Sequence, residues 1–316
     1  MRFTNIDKPL VIIVGSTAVG KTEMSIALAK RIKGEIVSAD SRLLYRGMDI
    51  GTAKPTLEER AMVAHHLIDV ADPDEVWSLA LYQRAAYQAI EDVLARGKMP
   101  ILVGGTGQYI RAITEGWYLP PQKPDMGLRS VLERWADEIG KQELHRRLSL
   151  LDAEAAAIID ARNVRRTIRA LEVILLTGRR FSAQRGRTVC PFTYRMIGLT
   201  RSRSELYQRI DQRIERMIAE GLISEVRALL SEGYSPDLPT MSAIGYAEIV
   251  SFLSGKIGLD EAIRLMKRRT RQFVRRQAAW FRSDDLKIAW INANDASAVE
   301  RMVTALESGS GWINAA

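Results

Sequence analysis

Residues 15–22 read Gly-Ser-Thr-Ala-Val-Gly-Lys-Thr, a spacing suited to gripping a di- or triphosphate. Glycines let the backbone wrap round a phosphate so that several amide N–H groups point inward. Gly15, Ser16, Thr17, Ala18, Val19 and Gly20 would form that cradle, the Lys21 ammonium would reach the terminal oxygens, and the Thr22 hydroxyl would ligate Mg²⁺. The motif has the context it needs, an apolar run at Leu10–Val14 before it and a helical stretch at Lys21–Ile32 after it. By itself the loop specifies only a diphosphate or triphosphate, and its default owner is a kinase or a nucleoside triphosphatase. A second run, Glu35–Ser38, leads into Ala39 and Asp40, which puts a carboxylate at the strand edge where open α/β sheets bind ligands. Asp40 reads there as a ligand-facing group, a Mg²⁺ ligand or a helix cap. A third run, Ile101–Val103, opens into Gly104-Gly105-Thr106-Gly107, a glycine turn carrying one hydroxyl.

The elements that must hold these groups follow from pattern. Leu10–Val14, Glu35–Ser38, Ile101–Val103 and Arg195–Leu199 are short, apolar and bounded by small or turn-forming residues, with Lys287–Ile291 as a fifth candidate strand. Helical stretches at Lys21–Ile32, Leu79–Ala95 and Tyr109–Glu115 accompany the first three. The alternation predicts an α/β fold: a P-loop-type parallel sheet flanked by helices. From Pro120, Pro121 and Pro124 the rhythm changes to Leu128–Ile139, Gln142–Leu151 and Arg165–Leu176 with no strand between them, which predicts an all-helical insertion over 121–190 within a core made of 1–120 and 191–316. Further helices are expected over Ser204–Leu230 and from Asp260 to about Arg282, and the last eight residues read as a frayed tail.

Composition sets the outer bounds. The chain has 316 residues, 47 % of them hydrophobic and 27 % charged, which excludes disorder, collagen-like sequence and coiled-coil arrays. Its single cysteine, Cys190, excludes an internal disulfide framework and a thiolate zinc site. The start of the chain carries Arg2, Asp7 and Lys8 and lacks a signal-peptide pattern, and no apolar run approaches a membrane span, so a cytoplasmic protein with no membrane partner is expected. Forty-six Lys and Arg against 38 Asp and Glu leave a formal charge of +8, which permits a nucleic acid or phosphorylated partner.

Several longer motifs occur in order. Asp40-Ser41-Arg42-Leu43-Leu44-Tyr45-Arg46-Gly47-Met48-Asp49-Ile50-Gly51-Thr52-Ala53-Lys54-Pro55 is followed by His65-His66-Leu67-Ile68-Asp69, Arg169-Ala170-Leu171-Glu172-Val173, Ala243-Ile244-Gly245-Tyr246 and Arg275-Arg276-Gln277-Ala278-Ala279-Trp280-Phe281-Arg282. With the P-loop and the glycine turn, this series closely resembles that of the bacterial tRNA dimethylallyltransferases, also called tRNA isopentenyltransferases. The resemblance implies that the loop holds dimethylallyl diphosphate rather than ATP. It further implies prenyl transfer to N6 of the adenosine immediately 3′ of the anticodon, in tRNAs reading codons that begin with U, giving N6-isopentenyladenosine. By the same resemblance Asp40 would be the general base, Thr106 would assist the leaving diphosphate, and Arg213, within Arg-Ile-Asp-Gln-Arg, would approach that diphosphate. It also nominates tRNA contacts at Asp40, Ser41, Arg42, Leu43, Asn163, Val164, Arg165, Arg166, Thr167 and Gly245. Ser16, Leu43 and Gln108 depart from the usual family pattern, and Leu43 replaces a frequent glutamine near the target base.

The charge distribution supports an RNA partner. From Ala262 to Arg282 there are eight Lys or Arg and no acid. At 100° per residue, Arg264, Arg268, Arg271, Arg275 and Arg282 fall within about 60° of one another, opposite Met266, Phe273 and Trp280. Arg268, Arg271 and Arg275 are therefore expected to meet the tRNA backbone. Arg162–Arg187 holds eight Arg and one Glu, with Arg165, Arg166 and Arg169 in the helical insertion. Tyr45, Tyr109 and Tyr246 could stack on bases but suit core packing better, and His65 and His66 suit capping or packing better than a metal. The expected partners are a tRNA anticodon stem-loop and dimethylallyl diphosphate, with Mg²⁺, acting on a monomer. The rival readings are a prenyltransferase for free adenine nucleotides, a small-molecule kinase, and a P-loop RNA-binding module without catalysis.

Overall fold

The computed structural model describes residues 6–118, 120, 124–308 and 311–313. Arg2 and Pro121 lie outside the described residues. Along the chain run β1 (Pro9–Val14), α1 (Lys21–Ile32), β2 (Gly34–Ser38), α2 (Leu57–Met62), β3 (His65–His66), α3 (Leu79–Ala95), β4 (Met99–Gly104) and α4 (Gly107–Thr114). Next come β5 (Trp117–Tyr118), α5 (Met126–Ile139), α6 (Lys141–Leu151), α7 (Ala153–Ile158), α8 (Val164–Thr177) and β6 (Gly186–Arg187). The remainder is β7 (Thr193–Thr200), α9 (Arg203–Ala219), α10 (Leu222–Ser231), α11 (Tyr246–Leu253), α12 (Leu259–Trp280), β8 (Ile288–Asn292) and α13 (Ala298–Glu307). Two compact units result, one of Met1–Trp77, Tyr82–Thr114 and Cys190–Ala316, the other of Ser78–Leu81 and Glu115–Val189.

The first unit is built on a six-stranded sheet in the order β3-β2-β4-β1-β7-β8, every neighbouring pair parallel. This is the α/β fold expected. Each residue of Leu10–Val14 is fully buried, as an uninterrupted apolar run in a strand covered on both faces must be. Register places Val11 opposite Ile101 on one side and Arg195 on the other, so the carboxyl ends of β1, β4 and β7 finish close together. The loops that follow those ends, and the loop that follows β2 beside β4, carry the groups of interest. None of the described helices is long and apolar enough to cross a membrane.

Within the second unit, α5 to α8 enclose a core that includes Leu132, Leu144, Leu148, Ile159, Ile168 and Leu171. The buried Glu172 carboxylate accepts from Arg129, Arg169 and the Asp125 N–H. Burial opposes that charge, but the two guanidinium groups hold its pKa below the usual value.

Four local expectations are corrected. The segment after Pro120 does contain a strand, since β6 pairs antiparallel with β5 through Trp117–Arg187 and Tyr118–Gly186. The sheet has an edge strand, β3, which is two residues long and too short to show a period of two. The run Ser204–Leu230 is two helices, broken at Gly221 with φ 103°. The tail is tied down in part, for Ile313 exchanges both backbone hydrogen bonds with Tyr194 and the Trp312 indole donates to Leu306 O.

Candidate active site

The phosphate loop begins where β1 ends. Gly15 adopts φ +152°, and a Cβ there would lie 2.8 Å from Leu199 O, so only glycine fits. Gly20, at φ 104°, turns the chain into α1. Two arginines pull the loop carbonyls outward: Arg209 Nε donates to Ala18 O and Arg201 Nε to Val19 O, both at 2.8 Å. Arg201 Nη2 continues to Ala293 O at 3.1 Å. Two of the loop amides are engaged within the protein, the Thr17 N–H donating to Gln277 Oε1 at 2.7 Å and the Val19 N–H to Ser16 O at 3.4 Å. Lys21 Nζ donates to Gly15 O at 3.0 Å and to Ser16 O at 2.9 Å. Burial lowers the Lys21 pKa to about 8; Asp40 opposes that shift and Arg213 adds to it.

The opposing wall comes from the loops after β2 and β4. Asp40 Oδ1 accepts the Arg42 N–H at 2.9 Å, a local turn that fixes the carboxylate. Thr106 Oγ1 accepts the Ser41 N–H at 3.3 Å, and the Thr106 N–H donates to Ala39 O at 3.4 Å. These bonds join the Asp40 loop to the glycine turn. Close approach explains the glycines: a Cβ on Gly104 would meet Ala39 O at 2.1 Å, and one on Gly107 would meet the Trp280 ring at 2.2 Å.

Between the walls lies a cavity of about 450 Å³. Thr17, Ala18, Asp40, Ser41, Arg42, Thr106 and Arg213 line it together with an apolar surface that includes Ile210, Ile214, Met217, Met266 and Phe273. Burial and the neighbouring Arg209 and Arg216 push the Arg213 pKa down, so an anion entering the cavity would be matched by a guanidinium already short of counter-charge.

The long motif after Asp40 proves to be a braced loop. The Lys54 side chain is only 3 % exposed; its ammonium pairs with Asp49 and Asp69 and donates to Tyr45 O at 2.8 Å. Glu225 accepts the N–H groups of Asp49, Ile50 and Gly51, and the Tyr246 hydroxyl at 2.6 Å. That brace holds Gly51, Thr52 and Ala53 against the cavity.

The structure brings Asp40, Ser41, Arg42, Thr106, Arg213, Thr17 and Ala18 to this one cavity, while Gly15 and Ser16 line an adjoining cavity of about 700 Å³. Leu43 does not line the site; its carbonyl accepts the Asp69 N–H at 3.1 Å. Gly245 is also set back, donating to Glu248 Oε2 at 2.7 Å to start α11, while Ser242, Ala243 and Ile244 line the cavity instead. In the second unit, Thr167 is fully buried and its hydroxyl donates to Asn163 O, which corrects its assignment to a tRNA surface. Asn163 caps α8 by accepting the Arg166 N–H; Arg165 and Arg166 are exposed, Val164 is half-buried, and Arg169 turns inward to Glu172.

The arginine stripe of α12 is not uniform. Arg268 and Arg275 are exposed, but Arg271 pairs with Asp211 at 2.6 Å and lies over the Tyr207 ring, so its charge is partly spent. Arg264 and Arg282 pair with Glu261 and Asp284. Tyr109 stacks on Tyr82 with ring centroids 3.6 Å apart, and His66 bonds Glu35 at 2.8 Å, both packing roles. Among the described residues no group of three or more His, Cys, Asp or Glu could hold a metal ion.

Sequence reasoning missed Gln277, Arg201, Arg209 and Glu225. Gln277 is 4 % exposed and bridges the two walls, accepting the Thr17 N–H at 2.7 Å and donating to Gly105 O at 3.0 Å. Its signal was present, an amide set between Phe273 and Trp280 in the apolar stripe of α12.

A phosphate loop after the first strand of a parallel sheet, facing an acid and a hydroxyl from the next two strand ends, defines a P-loop-type group-transfer enzyme. The family model described as IPP transferase matches residues 43–284, and one described as Isopentenyl transferase matches residues 8–71. The tRNA dimethylallyltransferase of Thermomicrobium roseum is 53 % identical over 275 residues, 87 % of this chain and 84 % of that protein. That of a Roseiflexus species is 55 % identical over 274 residues, 87 % of this chain and 90 % of that protein. The full-length tRNA isopentenylpyrophosphate transferase of Bacillus halodurans superposes with a TM-score of 0.70 at 42 % identity, covering 96 % of this chain and 98 % of that one. A eukaryotic dimethylallyltransferase acting on tRNA gives 0.81 at 27 % identity, covering 98 % and 81 %. The chain belongs to the tRNA dimethylallyltransferase family and is a prenyltransferase.

Proposed function

We propose that the protein transfers the dimethylallyl group of dimethylallyl diphosphate to N6 of the adenosine immediately 3′ of the anticodon, in tRNAs reading codons that begin with U, to give N6-isopentenyladenosine. The observation that carries this reading is the meeting of Thr17, Ala18 and Arg213 with Asp40 and Thr106 around one cavity. The C1–O bond to diphosphate breaks, a bond from C1 to N6 forms, and the N6 proton passes to Asp40. An adenine amine is a poor nucleophile because its lone pair is delocalised, so a carboxylate within hydrogen-bond reach contributes directly. Lys21, Arg213 and the loop amides would stabilise charge developing on the leaving diphosphate. Thr106 accepts the Ser41 N–H, which leaves its own proton available for a leaving oxygen. The apolar side of the cavity would keep water from the allylic carbon.

Thr22 stands in the first turn of α1, and no acidic cluster accompanies it among the described residues. That donor set fits Mg²⁺ held mainly by substrate phosphates and water, with Thr22 as the protein ligand. When bound with the diphosphate, the ion would add neutralising charge to the leaving group. Exposed Arg268 and Arg275 on α12, and Arg165 and Arg166 on α8, supply phosphate-backbone contacts. Reaching N6 requires the target base to leave its stack, which costs less in an anticodon loop than in a duplex. A tRNA acceptor supports a cytoplasmic location.

Labelled dimethylallyl diphosphate and a minimal anticodon stem-loop provide the test. Label should appear on the RNA without ATP; ATP consumption with unlabelled RNA would favour a kinase, and equal labelling of free adenosine monophosphate would favour a nucleotide prenyltransferase. Asp40→Asn and Thr106→Ala should each lower turnover far more than substrate affinity, and an unchanged rate would remove that residue from the mechanism.

A further inference from the structure

The β1–β4 ladder ends at the pair Val14–Gly104, after which the phosphate loop and the glycine turn go separate ways. Gln277 joins them just beyond that point. Its carbonyl oxygen accepts the Thr17 N–H at 2.7 Å across 260 residues of sequence, and its amide nitrogen donates to Gly105 O at 3.0 Å across 172. Only this orientation of the amide satisfies both partners, since one end meets a donor and the other an acceptor. The fit is tight: a Cβ on residue 105 would lie 2.2 Å from Gln277 Nε2. The contact also withholds the Thr17 amide from phosphate, and the residue after Gly105 is Thr106.

We propose that Gln277 is a positioning residue for the transfer step, setting the separation between the phosphate loop and the Thr106 hydroxyl so that hydroxyl and diphosphate meet at the leaving oxygen. The inference rests on the functional reading given above. A side chain serving only to fill space could be replaced by methionine, which has similar volume and no hydrogen bonds. A positioning residue could not, because misplacement by about 1 Å costs on the order of 100-fold in rate.

The experiment is a double-mutant cycle in the full-length protein, with steady-state transfer of label from dimethylallyl diphosphate to the stem-loop. Gln277→Met should lower kcat about 100-fold while the KM for dimethylallyl diphosphate changes less than about threefold. In a Thr106→Ala background the same substitution should cost less than about threefold, because the group it positions is gone. Multiplicative losses, or a raised KM with kcat intact, would overturn the inference while leaving the reaction standing. Gln277→Glu decides the matter independently of how well the methionine variant folds. A protonated carboxyl can accept from Thr17 and donate to Gly105 O as the amide does, so the ratio of its rate to wild type should rise as pH falls. A flat ratio would overturn the proposal. Wild-type protein that labels no RNA would instead overturn the functional reading, and this inference with it.

Discussion

The cations around the phosphate loop and those on the outer face of α12 carry the same charge in opposite circumstances. Arg201 and Arg209 spend donors on the backbone carbonyls of Val19 and Ala18, and Lys21 spends its own on Gly15 and Ser16. Arg213 faces the cavity with other arginines as its charged neighbours. Outside, Arg268 and Arg275 are exposed to solvent, and Arg271 stands between the two conditions, paired with Asp211. The difference teaches that partners, and not charge density, separate scaffold from ligand site. The run Arg162–Arg187 repeats the lesson within the second unit, where Arg162, Arg169 and Arg187 are held by Asp160, Glu172 and Glu115 while Arg165 and Arg166 are exposed.

The contrast can be broken at several points. Arg213→Ala should have the largest effect, lowering kcat/KM for dimethylallyl diphosphate by at least about 100-fold, with RNA affinity unchanged in a filter-binding measurement. Equal losses in both would erase the distinction between inner and outer cations. Reversing the outer pair, Arg268→Glu with Arg275→Glu, should weaken stem-loop binding by about 30-fold at low salt and reduce the slope of log affinity against log salt by about two. Binding of inorganic diphosphate, measured by calorimetry, should not move. The Lys21 pKa of about 8 gives the third effect. Its ammonium is the form that attracts diphosphate, so affinity is full below that value and is lost above it, by about tenfold between pH 7 and pH 9. Lys21→Arg should flatten the profile over that range; an unchanged slope would assign the titration to another group.

What was legible in the sequence divides along the same line. The P-loop, its flanking strand and helix, Asp40 and the glycine turn are local patterns, so β1 and α1 could be read nearly to the residue. The Arg201, Arg209 and Gln277 bonds, and those of Glu225 with Asp49, Ile50 and Gly51, join residues 92 to 260 positions apart, from Arg201 to Ala293 up to Thr17 to Gln277, and no local period encodes them. The family resemblance nominated Leu43 and Gly245 together with their motif neighbours, but Leu43 lies five residues past the end of β2 and Gly245 caps α11, so no local pattern fixes which way either residue faces. Thr167 failed for a different reason: it lies one helical step from exposed Arg166, and the rotation of a single step turns a surface position into a buried one.

Arg271 offers the smallest effect and the sharpest test of the comparison. As one member of an even stripe it would contribute as much to RNA binding as Arg268 does. In the structure its guanidinium meets the Asp211 carboxylate at 2.6 Å with the two side chains 36 % and 32 % exposed, and it lies 5.0 Å from the Tyr207 ring centre. A pair that open contributes less than about 1 kcal/mol to stability, so losing it should leave the fold intact. It does, however, offset the charge that a phosphate would meet. Arg271→Ala should therefore weaken stem-loop binding by less than about threefold and leave the salt slope within about half a unit of wild type. Asp211→Ala should act in the opposite direction, freeing the guanidinium and strengthening RNA binding at low salt. If Arg271→Ala matched Arg268→Ala, and Asp211→Ala changed nothing, the ion pair would have no bearing on the surface and sequence spacing alone would have described it correctly.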